Sequence, residues 1–168
     1  MIRRVAFDDD LVALRDFHVG NHLDETCNCP GEREHQISDL VTDFPQLYSV
    51  DVFHQGSFWV ATERDEIVGC IGLVPDKDQP KVTWLNTFSV AKEMRGKNIG
   101  SKLLQEALGA VTTDKVRLIT LGGHSECKDV MGAARHMYEK NGFVLYQKET
   151  IKYGDSTTID VLYYEKIM

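Results

Sequence analysis

Phe88-Ser89-Val90-Ala91-Lys92-Glu93-Met94-Arg95-Gly96-Lys97-Asn98-Ile99-Gly100-Ser101-Lys102-Leu103-Leu104 decides how this chain folds. Its first residues close an alternating stretch in which Val82, Trp84, Phe88 and Val90 oppose Thr83, Thr87 and Ser89, the period of a strand. Its last residues open an apolar series at helical spacing: Ile99, Leu103, Leu104, Ala107, Leu108 and Val111. Between them lies a short loop of small and basic residues. A helix start presents unpaired amide N–H groups and the positive end of the helix dipole, a combination that captures phosphate or diphosphate. Gly96 and Gly100 have no β-carbon to hold a ligand away, and Arg95, Lys97 and Lys102 add positive charge. An ordinary turn has the same composition, so its neighbours must decide the reading.

Upstream, Ser57–Glu63 and Glu66–Val74 read as strands joined by a short hairpin at Arg64-Asp65. The second of these is apolar on both faces, as a central strand should be. Residues 2–7 suggest a first strand and Asp8–Phe17 a helix, with Leu11, Leu14 and Phe17 at helical spacing. Gly20 to Gly31 interrupts that pattern and reads as a loop. A further helix is expected over Arg33–Asp43, ended by Pro45. Downstream come a strand at Val116–Leu121, a helix at Asp129–Lys140 and a left-handed stop at Asn141-Gly142. The strands Phe143–Ile151 and Thr157–Tyr164 then form a closing hairpin. No repeat, low-complexity tract or linker divides the chain, so residues 1–168 are expected to be one domain.

Composition narrows the function. Net charge is −7. Residues 1–66 carry 14 acidic and 5 basic side chains and no lysine, whereas residues 67–168 carry 12 and 14. Solvated surface explains most of these charges; a functional reading has the second half facing a phosphate-bearing ligand and the first a cationic one. An acidic chain without a basic stripe argues against nucleic acid as partner. No apolar run is long enough to span a bilayer, and the N-terminus has no signal-peptide core, so a cytoplasmic location is expected. Cys27, Cys29, Cys70 and Cys127 are too scattered for a disulfide framework. Cys27-Asn28-Cys29 with His22 or His35 lacks the second cysteine pair of a structural metal site, so no metal is expected.

The loop lacks both the P-loop spacing and a Gly-x-Gly-x-x-Gly fingerprint. Arg95-Gly96-Lys97-Asn98-Ile99-Gly100 instead resembles the Gln/Arg-x-x-Gly-x-Gly/Ala motif of the GNAT superfamily of N-acetyltransferases. Asn98 stands where that family usually has glycine, and asparagine tolerates left-handed backbone better than other residues with a β-carbon. Ala133-Ala134-Arg135-His136-Met137-Tyr138-Glu139-Lys140-Asn141-Gly142-Phe143 resembles the family's later helix, which ends in Tyr-Glu-Lys-x-Gly-Phe. The order of elements matches across about residues 57–166. Met131 replaces an asparagine that many members place about seven residues before the tyrosine, and the stretch Gly122–Lys128 is longer than in compact members.

The resemblance implies an α/β (α+β) fold: a mixed, mostly antiparallel seven-stranded central sheet flanked by about four helices. It implies acetyl-CoA as cosubstrate, held by Phe88, Ser89, Val90, Arg95, Gly96, Lys97, Asn98, Ile99, Gly100 and Ser101. The strand ending at Val90 should splay from its neighbour, so that the pantetheine arm pairs with its backbone like an added strand. Acetyl transfer to an amine needs the donor held, a proton removed from the ammonium, the oxyanion stabilised and the thiolate protonated. Tyr138 is the candidate general acid, since a phenol stays protonated at neutral pH and can donate to a thiolate. The general base stays open among His124, Glu126, Asp51 and a water chain. The acidic first half suggests a cationic amine acceptor, with His22, Asp24, Glu25 and His35 as contacts. The alternative is a regulatory module that binds acyl-CoA without catalysis. Ile159–Tyr164 is a candidate for pairing across a homodimer.

Overall fold

The computed structural model describes residues 1–6, 11–24, 55–122, 131–153 and 157–168. Seven strands form one sheet: β1 (Ile2–Arg4), β2 (Ser57–Glu63), β3 (Glu66–Pro75), β4 (Val82–Val90), β5 (Lys115–Leu121), β6 (Val144–Tyr153) and β7 (Thr157–Ile167), in the order β1-β2-β3-β4-β5-β7-β6. Every neighbouring pair is antiparallel except β4–β5. The described helices are α1 (Leu11–Asp24), a 3₁₀ turn (Lys92–Met94), α2 (Ile99–Gly109) and α3 (Gly132–Lys140). Three α-helices thus stand against the four expected, and the expected helix at Arg33–Asp43 lies outside the described residues.

Helix α1 continues through Gly20 to Asp24, where the sequence pattern suggests a loop. A mid-helix glycine costs only about 1 kcal/mol against alanine. Here the tertiary contacts of Leu14 (2% exposed) and Phe17 carry the helix past that cost. Asn21 adds support by donating from Nδ2 to the Phe17 carbonyl at 3.2 Å.

The turn between β2 and β3 puts Arg64 at φ 51° and Asp65 at φ 67°. Two successive positive φ values define the primed hairpin turn whose twist suits the flanking strands.

The sheet has a helix on each face. On one, Leu103, Leu104 and Ala107 of α2 are fully buried against Ile71, Leu85, Val116 and Leu118. Each such leucine stabilises the fold by roughly 1.5–3 kcal/mol. On the other, Leu14 of α1 packs with Phe58, Val60 and Cys70. Helix α3 lies on the α2 face, bonded to β5 by Arg135 Nη1, which donates to the Leu121 carbonyl at 2.9 Å. Tyr164 of β7 also donates to Glu139 of α3 at 3.0 Å.

A bulge in β4 re-phases the strand. Pairing with β3 jumps from Cys70↔Ser89 to Gly72↔Asn86, and within the bulge Thr87 takes φ 52°. In a regular strand Leu85 and Phe88 would face opposite ways. The extra residue brings Leu85, Phe88 and Val90 all to the α2 face, while Ser89 stays opposite Cys70 on the α1 face.

Candidate active-site cleft

The parallel joint between β4 and β5 is short. Only Val82↔Lys115, Thr83↔Val116 and Trp84↔Arg117 are paired, although β4 runs on to Val90 and β5 to Leu121. Past Trp84 the two strands diverge, which leaves one side of β4 without a strand partner among the described residues. The gap forms a cleft of about 680 Å³ whose walls are the unpaired stretches of both strands, the start of α2 and the inner side of α3.

At one end lies the turn before α2. Gly96 sits at φ 76° and Asn98 at φ 63°, ψ 15°, both left-handed. A β-carbon at Gly96 would meet nothing within 4 Å, so backbone conformation rather than crowding selects glycine there. Asn98 caps α2 without a side-chain hydrogen bond, and its carbonyl accepts from Lys102 N at 3.2 Å. The amides of Ile99, Gly100 and Ser101 precede that first helical bond and have no carbonyl four residues back on the helix. Arg95 Nε donates to the Val90 carbonyl at 3.1 Å, tying the turn to the end of β4.

Tyr138 lies on the α3 wall, 7% exposed, its ring 6.1 Å from that of Phe88 and 5.9 Å from that of Phe143. The helix end fixes it there. Phe143 N donates to the Tyr138 carbonyl at 3.1 Å and Gly142 N to the Glu139 carbonyl at 3.0 Å, with Gly142 at φ 84°. Those two bonds are the Schellman stop expected from Asn141-Gly142, and the Tyr138–Phe143 ring contact is the apolar pair that accompanies it.

The cleft therefore gathers Phe88, Ser89, Val90, Arg95, Gly96, Asn98, Ile99, Gly100, Ser101 and Tyr138, all expected from sequence. Lys97 does not line it; its Nζ lies 3.2 Å from Met94 Sδ. His124, Glu126, Cys127, Asp51, Glu25, Cys27, Cys29 and His35 are outside the described residues, as are the side chains of His22 and Asp24. Met131 lines the cleft at the start of α3, where it offers a thioether instead of an amide.

Ile119 and Leu121 on the β5 wall were not singled out from sequence. A signal existed. In Lys115-Val116-Arg117-Leu118-Ile119-Thr120-Leu121 the buried phase is Val116, Leu118 and Thr120, so Ile119 and Leu121 are apolar residues on the phase of Lys115 and Arg117.

Below the cleft mouth, the α1 face holds a polar cluster. Arg117 Nε donates to Glu165 at 2.8 Å, Lys115 Nζ to the same carboxylate at 3.1 Å, and Arg117 Nη1 to Gln79 at 3.1 Å. Burial pushes the Glu165 carboxyl up, but the bonds from Arg117 and Lys115 outweigh it and leave the pKa below the ordinary 4.5. Trp84 Nε1 donates to Asp76 at 2.6 Å, and that bond is the main cause of the lowered Asp76 pKa.

Residues 54–145 match the family model described as an acetyltransferase (GNAT) domain, more than half of the chain. The probable N-acetyltransferase camello of Xenopus tropicalis is 31% identical over 86 residues, 51% of this chain and 37% of that protein. The chain thus spans little more than a third of the length of this curated relative. A putative GNAT-family acetyltransferase from Desulfovibrio desulfuricans superimposes with a TM-score of 0.71 at 19% identity, covering 99% of this chain and 98% of the other. A GNAT-family acetyltransferase from Elizabethkingia anophelis with acetyl-CoA bound matches with a TM-score of 0.53 at 20% identity, over 70% and 80% of the two chains. Among the described residues, no helix is long and apolar enough to cross a membrane.

Proposed function

Because the chain belongs to the GNAT family of acetyltransferases, we propose that it transfers an acetyl group from acetyl-CoA to a primary amine by direct attack, with Tyr138 as general acid. The carrying observation is the divergence of β4 from β5 after Trp84, with a left-handed turn at one end of the gap and a buried tyrosine on its wall. The residues present fit coenzyme A. The open backbone at Gly96 and the amides of Ile99, Gly100 and Ser101 suit a diphosphate, and the unpaired edge of β4 suits the amide-bearing pantetheine arm. When bound, acetyl-CoA supplies an acyl group activated as a thioester.

The chain's own residues hold and polarise the donor and manage the protons. A backbone N–H in Phe88–Val90 polarises the acetyl carbonyl. The acceptor's ammonium first gives a proton to water. As the neutral amine nitrogen bonds to the carbonyl carbon and the carbon–sulfur bond breaks, the phenol of Tyr138 gives its proton to the leaving thiolate, and the nitrogen loses its second proton to water. The phenol then regains a proton from solvent, so protons balance. The lysine-free acidic first half of the chain favours a cationic amine as acceptor. One observation favours the second reading, an acyl-CoA-binding module without catalysis: Met131 puts a thioether on the cleft wall, with no amide to bond the pantetheine arm. Release of free thiol from acetyl-CoA in the presence of an amine panel separates the two. Amine-dependent thiol release supports the enzyme; binding of acetyl-CoA by calorimetry without such release supports the module.

A further inference from the structure

The cleft reaches the α1 face beside an exposed apolar shelf on β5. Ile119 and Leu121 are 52% and 39% exposed although they sit in the interior of a seven-stranded sheet. Strand pairing extends the shelf. Ile119 lies directly across from Tyr163 and Leu121 from Val161 on β7, and the Tyr163 ring is tilted against Tyr146 at 6.3 Å. Trp84 borders it from β4. Neighbouring side chains on one face of a sheet lie close enough for a single ligand to touch several of them.

Three features of the shelf bear on what it takes. It is continuous with the cleft, since Ile119 and Leu121 line the same cavity as Phe88–Val90 and Tyr138. A molecule lying on it therefore has one end at the acyl-transfer position. Its surface at Ile119, Leu121 and the Tyr163 ring is apolar and aromatic, with Glu149, which accepts from the Tyr163 hydroxyl at 3.3 Å, at its β6 border. Over those three residues it therefore favours a carbon body over a hydrated one. And Lys115 and Arg117, the cations that precede it on β5, are both tied to Glu165 and so are held in place below the shelf.

We propose that this shelf is the acceptor-specificity surface, and that it selects amines carrying an apolar aryl or branched-alkyl body next to the reacting nitrogen over polyamines. The inference rests on the function proposed above and narrows it: the reacting nitrogen lies toward the cleft while the body lies over Ile119, Leu121 and Tyr163. Ile119 and Leu121 are the specificity-determining residues.

The test compares kcat/KM for 2-phenylethylamine and for spermidine in the wild-type chain and in Ile119→Thr and Leu121→Thr. Threonine keeps the branched β-carbon that suits a strand, or introduces one, while removing apolar contact. The wild type is expected to favour 2-phenylethylamine by at least about tenfold, and each variant to lower that ratio by about five- to thirtyfold. A wild-type preference for spermidine overturns the inference by itself, whether or not the variants fold. Ratios within twofold of wild type in variants with unchanged melting overturn it too. Calorimetry with acetyl-CoA separates the two levels: a chain that binds the cosubstrate and acetylates only spermidine leaves the proposed function standing and removes this inference. A chain that does not bind acetyl-CoA removes both.

Discussion

Strand β4 has two edges, and they behave differently. Against β3 it is paired from end to end, with one bulge and helices covering both faces. Against β5 it is paired for three residues and then has no strand partner among the described residues. The composition of β4 is the same at both edges, so the difference comes from what each neighbour does. Fully buried Leu103 and Leu104 press on the closed joint from α2. The open joint is flanked by α3, which is anchored at Leu121 by Arg135 and at β7 by Glu139. Packing energy is concentrated at the first edge and unfilled bonding capacity at the second, so stability and chemistry should separate under mutation.

The sharpest way to break that separation is Tyr138→Phe. It removes one hydroxyl at the open edge and should lower kcat by about ten- to ten-thousandfold, with melting changed by only a few degrees. An unchanged kcat would take the acid role from Tyr138. Leu104→Ala is the converse at the closed edge. With the side chain fully buried, it should cost about 2–5 kcal/mol of unfolding free energy by urea titration. A loss under about 1 kcal/mol would show that the α2 joint is looser than its burial implies.

Gly96→Ala sharpens the comparison at the turn. A β-carbon at φ 76° should cost about 1–2 kcal/mol. Because the turn shapes the amide cradle, calorimetry should show weaker coenzyme A binding, and an unaltered affinity would argue that the cradle lies elsewhere. The smallest effect is expected at the polar cluster below the cleft. The Glu165 carboxyl has a folded pKa below its ordinary value. Its stabilisation is therefore present above that ordinary value and disappears as pH falls through the folded one. Glu165→Gln should cost about 1 kcal/mol or less at pH 7, since Lys115 is partly exposed. The gap between the two melting curves should close on acidification, and a gap independent of pH would mean that packing rather than charge sets the contribution.

Much of this arrangement is legible in the sequence because it is local. The period-two runs place the strands to within a few residues, Asn98 and Gly142 take the left-handed backbone that asparagine and glycine are suited to, and Arg64-Asp65 closes a hairpin. What is not legible depends on distant partners. Thr87 is β-branched and by its own preference would avoid φ 52°; only pairing with β3 through the bulge puts it there. Gly20 looks like a breaker until the packing of α1 on the sheet is known. Ile119 and Leu121 were visible as apolar residues on a polar phase, but a strand with covered faces gives the same pattern. Their exposure follows from where β4 and β5 part.

One consequence follows from how α3 ends. The Tyr138 ring takes its position from the knot at Glu139, Gly142 and Phe143, and so from the strand that follows it. Each residue added to a helix turns what lies beyond it by about 100° and shifts it by 1.5 Å. Residues inserted or deleted before Met131 leave the ring's reference point untouched, whereas one residue gained between Tyr138 and Phe143 would swing the phenol away from the cleft. Length changes before Met131 should therefore leave the Tyr138 ring in place, whereas the six residues from Tyr138 to Phe143 must change as a block or not at all.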